Sequence, residues 1–246
     1  MMSELFKREN PNYRLPFVDT GGLDGSSGSS LNGGITKKMS LLLVASAIIA
    51  ISILLFVPIP QIISATIFTV AGLAFYGILS RCKFNLLVGS NKPKDIGLML
   101  VITIISFVVA NVLSSIYEAA GLKIVSDQAI AEQSSILSSL KLLCAQLIGE
   151  EMFKTLLLLG LIGIFVTFAH AKRKQAIIWS VILTTILFCI CHYTAYSGNI
   201  MQLTLLIPST VLTFYLYIRT KSVILTTVSH FLYDAIPIFV GLIFAK

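Results

Sequence analysis

Apolar and polar positions along this chain separate into long blocks. They do not follow the two-residue period of a strand or the one-sided stripe of a surface helix. Seven blocks, 39–59, 62–80, 96–117, 141–168, 176–196, 200–218 and 222–244, are nearly unbroken runs of apolar residues. At 1.5 Å rise per residue, about 20 residues cross the hydrocarbon layer, so each block predicts a transmembrane helix. The fourth is longer than needed and is expected to tilt or to emerge at one end. Before it, residues 126–139 are half polar, with Asp127 placed to cap a short interfacial helix. Residues 1–38 are polar, and Gly21 to Gly34 is rich in Gly and Ser. That segment reads as a flexible cytosolic tail, and it lacks the apolar core of a cleavable signal peptide. The expectation is an all-α polytopic membrane bundle, with a tail over 1–38 and a transmembrane domain over 39–246. Strands are not needed, because a helix satisfies its own backbone in lipid.

Composition supports this reading. Of 246 residues, 56% are hydrophobic and only 12% are charged, about half the roughly 25% of a soluble domain. The net charge of +7 and pI of about 9.3 could suggest a nucleic-acid binder, but the basic residues sort by loop. With the N-terminus inside, fourteen Lys and Arg fall in the tail and inner loops and three fall outside; Lys154 lies within a span. The basic excess is therefore the positive-inside rule at work. The expected topology is N-terminus in and C-terminus out, in a cell membrane, with the bilayer and no nucleic acid as partner. A bacterial plasma membrane is the expected setting. Cys82, Cys144, Cys189 and Cys191 lie in or beside apolar runs and lack disulfide or zinc-ribbon spacing, so they read as buried thiols acting as small apolar residues.

Charge inside the spans is the chemical signal. Each mid-membrane charge costs about 2.5–3.5 kcal/mol on insertion scales. Even so, Glu150, Glu151, Lys154, His192, His230 and Asp234 all fall in spans four, five and seven. Glu150 and Glu151 reach Lys154 at i,i+4 and i,i+3, and His230 and Asp234 share a face at i,i+4. Two histidines and a glutamate (Glu150, His192, His230) could hold a zinc ion with a position open for water. Alternatively, a desolvated glutamate could act as general base on water while the histidines stabilise an oxyanion. Both routes hydrolyse a peptide bond. Asn111 and Gln146, the latter one turn before Glu150, are further polar groups at depth; either could hydrogen-bond into the cluster, with interhelical bonding as the expected role. Phe188 is expected to be packing.

The segments Glu150-Glu151-Met152-Phe153-Lys154, Phe188-Cys189-Ile190-Cys191-His192 and His230-Phe231-Leu232-Tyr233-Asp234 resemble, in order and spacing, the three motifs of the CPBP (CAAX protease and bacteriocin-processing, Abi) intramembrane proteases. The family pattern is EExxxR, FxxxH and HxxxN or HxxxD. The second and third motifs match. In the first, Thr155 stands at the arginine position and the cation comes one residue earlier, as in the EExxK motif of PrsW-like proteases. The resemblance covers about residues 140–240. It implies an intramembrane endopeptidase with Glu150 as the water-activating base. His192 and His230 would act at the oxyanion or on a metal, Asp234 beside them, and Glu151 with Lys154 as a supporting ion pair. The implied substrate is a membrane-associated peptide or protein. Bacteriocin or signal-peptide processing, or self-immunity, stands ahead of a CAAX-type substrate. Two other readings stay open: a catalytically silent scaffold that regulates a partner membrane protein, and a proton-coupled transporter.

Overall fold

The computed structural model of the chain describes residues 15–18, 35–57, 59–89, 91–124 and 136–244. Over these residues the protein is all-helical. Its elements are α1 (Lys37–Phe56), α2 (Gln61–Ser80), the single turn α3 (Asn85–Val88), α4 (Pro93–Ala119), α5 (Ile136–Thr167), α6 (Arg173–Cys191), α7 (Ile200–Thr220) and α8 (Val223–Phe244). Each of the seven apolar blocks corresponds to one long helix. Five of them, α1, α2, α4, α6 and α7, are long and apolar enough to cross a membrane. The other two are α5, which carries Glu150, Glu151 and Lys154 in its middle, and α8, which carries His230 and Asp234. Most of the stretch expected to form an interfacial helix lies outside the described residues; 136–139 are the first turn of α5.

Local chemistry sets the helix ends. Thr36 caps α1 by accepting a hydrogen bond from the Met39 N–H at 3.2 Å, and Asn199 caps α7 through the Gln202 N–H at 3.0 Å. Pro93 opens α4, where its missing N–H costs nothing. Arg81 and Lys221 end α2 and α7 in the left-handed conformation.

The chain ends of the helices sort by charge. Close to the α7–α8 turn lie Gly89 and Asn91: a Cβ on Gly89 would sit 2.3 Å from the Thr220 carbonyl oxygen, and Ser222 donates to Asn91 at 2.9 Å. Lys37 lies over the Phe168 ring at 5.0 Å. These contacts gather the basic connections at one end of the bundle. At the other end, the Asn199 amide donates to the Lys123 carbonyl at 2.8 Å.

Helix α5 forms the axis. It packs against α1, α2, α6 and α8, whereas α4 packs against α7 and α8. Every residue from Glu150 to Gly163 is buried, so this helix is enclosed on all sides by protein. By contrast, Ile48, Ile49, Val70, Ile104, Val108 and Val112 on α1, α2 and α4 are exposed, as a lipid-facing surface requires. Small residues let the neighbours approach α5 closely. A Cβ on Gly149 would lie 2.6 Å from the Phe68 ring, one on Gly160 2.7 Å from Val44, and one on Gly163 2.3 Å from the Ser40 hydroxyl.

Three findings differ from the sequence reading. Residues 15–18, inside the expected tail, are packed: Leu15, Phe17 and Val18 are buried, and the Phe17 ring meets Tyr76 edge-on at 5.5 Å. The Ile35 N–H donates to the Val18 carbonyl at 3.3 Å. Apolar side chains in a polar segment here find buried apolar partners, which composition averaged over the segment conceals. Second, α6 stops at Cys191, so the fifth span is shorter than its apolar block. Third, only Cys189 is buried among the thiols; Cys191 is partly exposed, and Cys82 and Cys144 are exposed.

Replacing Gly160 by Leu forces α1 off the axis and should cost about 1–3 kcal/mol. Gly97→Ala, where nothing lies within 4 Å of the added carbon, should gain roughly 0.5–1 kcal/mol from helix propensity alone. Thermal unfolding of the two variants in detergent checks the pair.

Candidate active site

Packing of α8 and the end of α6 against α5 brings the six ionisable groups together. The Glu151 carboxylate lies inside the bundle, 3% exposed. It forms an ion pair with Lys154 one turn along α5, and the Nδ1–H of His230 on α8 donates to it at 2.9 Å. The other ring nitrogen of His230, Nε2, stands 3.4 Å from Asp234. Lys154 also places its ammonium over the face of Phe188, 4.6 Å from the ring centre, a favourable cation–π arrangement once both are desolvated. Thr155, at the position of the family's arginine, is buried without a charge, and the shorter reach of Lys154 at i,i+3 supplies the cation.

Glu150 is also 3% exposed, yet its surroundings differ. Its carboxylate accepts a hydrogen bond from the Gln146 side-chain amide one turn earlier on α5, and His192 Nε2 stands 3.8 Å away. That separation is too long for a direct hydrogen bond. Thus one carboxylate of the adjacent pair is compensated by cationic and N–H donors, and the other faces an amide and an imidazole.

His192 is the residue at which α6 ends. Its Nδ1 lies 2.9 Å from the Phe188 carbonyl, an oxygen left free by the end of the helix. A carbonyl only accepts, so Nδ1 carries the proton. In the neutral ring, Nε2 is then an acceptor turned toward Glu150. The side chain thus caps its own helix, which also explains why α6 is shorter than the apolar run. Phe188 holds the ring from the other side, with centroids 4.4 Å apart, and approaches His230 at 6.5 Å. Phe188 is buried as expected, but it is more than packing: it contacts Lys154, His192 and His230.

A cavity of about 670 Å³ opens beside this cluster between α4, α5, α7 and α8. Glu150, Lys154, His192, His230 and Asp234 line it; Glu151 stands behind them. The facing wall carries amide and hydroxyl groups, among them Asn111, Ser209, Thr213 and Ser229. Ser229 and Thr103 are hydrogen-bonded across α8 and α4 at 2.8 Å. Asn111 bonds within its own helix, to the Phe107 carbonyl at 2.8 Å. Gln146 likewise acts within α5 and not between helices. Its i,i+4 spacing from Glu150 was the available signal for placing it in the site.

As donors for zinc, Glu150, His192 and His230 do not fit. His230 turns one nitrogen to Glu151 and the other toward Asp234. Among the described residues, no three His, Cys, Asp or Glu side chains are grouped to hold a metal ion.

The cavity thus brings a glutamate up to an imidazole in front of a charge-compensated second glutamate, an arrangement able to orient and polarise a water molecule. Residues 132–236 match the family described as type II CAAX prenyl endopeptidase Rce1-like. This is the CPBP family to which the three motifs point, and the matched segment contains all three. The match carries the CAAX endopeptidase description, the substrate class that the sequence reading placed second. No curated protein matches the chain, and no solved structure matches it.

Removing the ammonium with Lys154→Met leaves Glu151 buried beside His230 alone. A cost of about 3–5 kcal/mol is expected. The double variant Glu151→Gln/Lys154→Met should recover most of it, as a double-mutant cycle on thermal unfolding would show.

Proposed function

We propose that the protein is an intramembrane endopeptidase in which Glu150 activates the attacking water. The observation that carries this reading is the unequal treatment of the two carboxylates. Lys154 and His230 compensate Glu151, which stands off the cavity, while Glu150 lines it next to an acceptor nitrogen. A water beside Glu150 and His192 Nε2 can donate one proton to each, which fixes its remaining lone pairs toward a bound carbonyl.

Attack then forms the carbon–oxygen bond as Glu150 takes the water proton. With His230 doubly protonated between Glu151 and Asp234, its Nε2–H, facing the long 3.4 Å contact to Asp234, turns to donate to the oxyanion that develops. Glu150 passes its proton to the departing nitrogen, the carbon–nitrogen bond breaks, and acid and amine products leave with Glu150 again ionised. His192 serves here as orienting acceptor, a narrower role than the oxyanion or metal-ligand roles implied by resemblance. Asp234 and Glu151 hold His230, and Phe188 keeps Lys154 and both histidines in register. The polar wall of α4, α7 and α8 offers hydrogen bonds to a peptide backbone, which no bilayer can supply.

The substrate class we favour is a membrane-anchored peptide of the CAAX type, following the family description. Processing of a bacteriocin or signal peptide is the second candidate. The seven-helix arrangement with the basic end inside is the topology we adopt for it.

Glu150→Gln should lower cleavage of a prenylated CAAX peptide at least about 10²-fold and leave the thermal transition in place. Undiminished cleavage would remove Glu150 from the mechanism. A partner protein that still co-purifies with a protease-inactive wild type would favour the scaffold instead.

A further inference from the structure

Glu150 and His192 also face a second cavity. It measures about 360 Å³ and lies between the end of α1, the start of α2 and the turn after α6. Gln146, Glu150, Phe188 and His192 line both cavities, so the Glu150–His192 pair is a partition with one space on each side. The two spaces differ in character. The larger one is walled by α4, α7 and α8 and takes in His230 and Asp234. The smaller one has an apolar wall from α1, including Ile51 and Leu54, with Gln61, Ser64, Cys191 and Thr194 among its polar groups. Its mouth lies at the end of the bundle away from the basic connections, where Thr194 is exposed and Gln61 and Ala195 are partly so. At about 30 Å³ per water, its volume suits a small group of water molecules. The Glu150 carboxylate and Gln146 amide give such waters partners at the inner end.

We propose that this smaller cavity is a water antechamber. It supplies the attacking water to Glu150 from the end of the bundle while the peptide occupies the larger cavity. The assignment rests on Glu150 as the base. It resolves a difficulty of hydrolysis in a membrane: a peptide filling the larger cavity would displace the water needed to cleave it. Here the reagents reach the same pair from opposite sides. Half of the antechamber, from Ile51 to Ser64, lies outside the segment that matches the family.

Cys191 lines the smaller cavity and not the larger, which makes it a reporter. In a Cys82→Ser/Cys144→Ser/Cys189→Ala background reconstituted in liposomes, the membrane-impermeant probe 2-(trimethylammonium)ethyl methanethiosulfonate should label Cys191. The thiolate forms a mixed disulfide and methanesulfinate leaves. Labelling should lower kcat about tenfold or more with KM changed less than about twofold, since water access is lost and peptide binding is not. Cys191→Ala should ignore the probe, with kcat the same before and after treatment. Ala195→Leu, in the otherwise native chain, should show the same kcat-only loss without any cysteine replacement. If Glu150→Gln is inactive while Cys191 in the enzyme with Glu150 intact stays unlabelled, or is labelled with kcat undiminished, the result overturns the antechamber alone. So does a loss that falls on KM. Full cleavage by Glu150→Gln overturns the general-base reading and the antechamber with it.

Discussion

Two adjacent carboxylates cannot both stay charged inside a membrane protein without compensation, and the burial of Glu151 against Lys154 and His230 meets that constraint. The ion pair lies within α5, and the hydrogen bond to His230 joins α5 to α8. Once Glu151 is satisfied, Lys154 is fixed above Phe188, and Phe188 in turn backs His192 at the end of α6. Three helices are thereby registered around one buried charge. Glu150 is left as the carboxylate whose surroundings can change when a substrate and a water arrive. A buried ion pair is weak evidence for net stability; here its consequence is positional.

The scaffold around this charge is built for close approach. Glycines along α5 admit α1 and α2 to within contact of its backbone, and the whole middle of α5 is shut off from lipid. Helix α4 stands on the other side, packed on α7 and α8. The result is an asymmetric bundle, dense where charge must be held and hollow where a peptide must fit. That division explains why α1, α2 and α4, which bear no motif, still shape the site.

Much of this was legible in the chain. The length of the apolar blocks located all seven long helices, because a helix in lipid needs no periodic polar face to be recognised. The i,i+3 and i,i+4 spacings of Glu151, Lys154, His230 and Asp234 placed partners on shared faces. Which carboxylate would meet which imidazole could not be read, since His230 pairs with Glu151 across two helices far apart in sequence. The end of α6 was hidden as well: residues 192–196 bring no Pro, Gly or formal charge to mark it, and His192 stops the helix through a hydrogen bond that hydropathy does not register. Gln146 reads from sequence as an interhelical hydrogen-bonding residue and Phe188 as packing. Their roles depend on what stands beside them in space.

The burial of Leu15, Phe17 and Val18 has a consequence for biogenesis. These residues precede all the described helices, yet they belong to one apolar cluster with Tyr76 of α2, Phe153 of α5, Ala176 of α6 and Val223 of α8. That cluster cannot close until the last helix has been made. The turn at residues 15–18 therefore completes its packing only after α8 has been added. Contacts of such large sequence separation are slow to form, so docking of residues 15–18 marks a bundle in which α1, α2, α5, α6 and α8 are all in place.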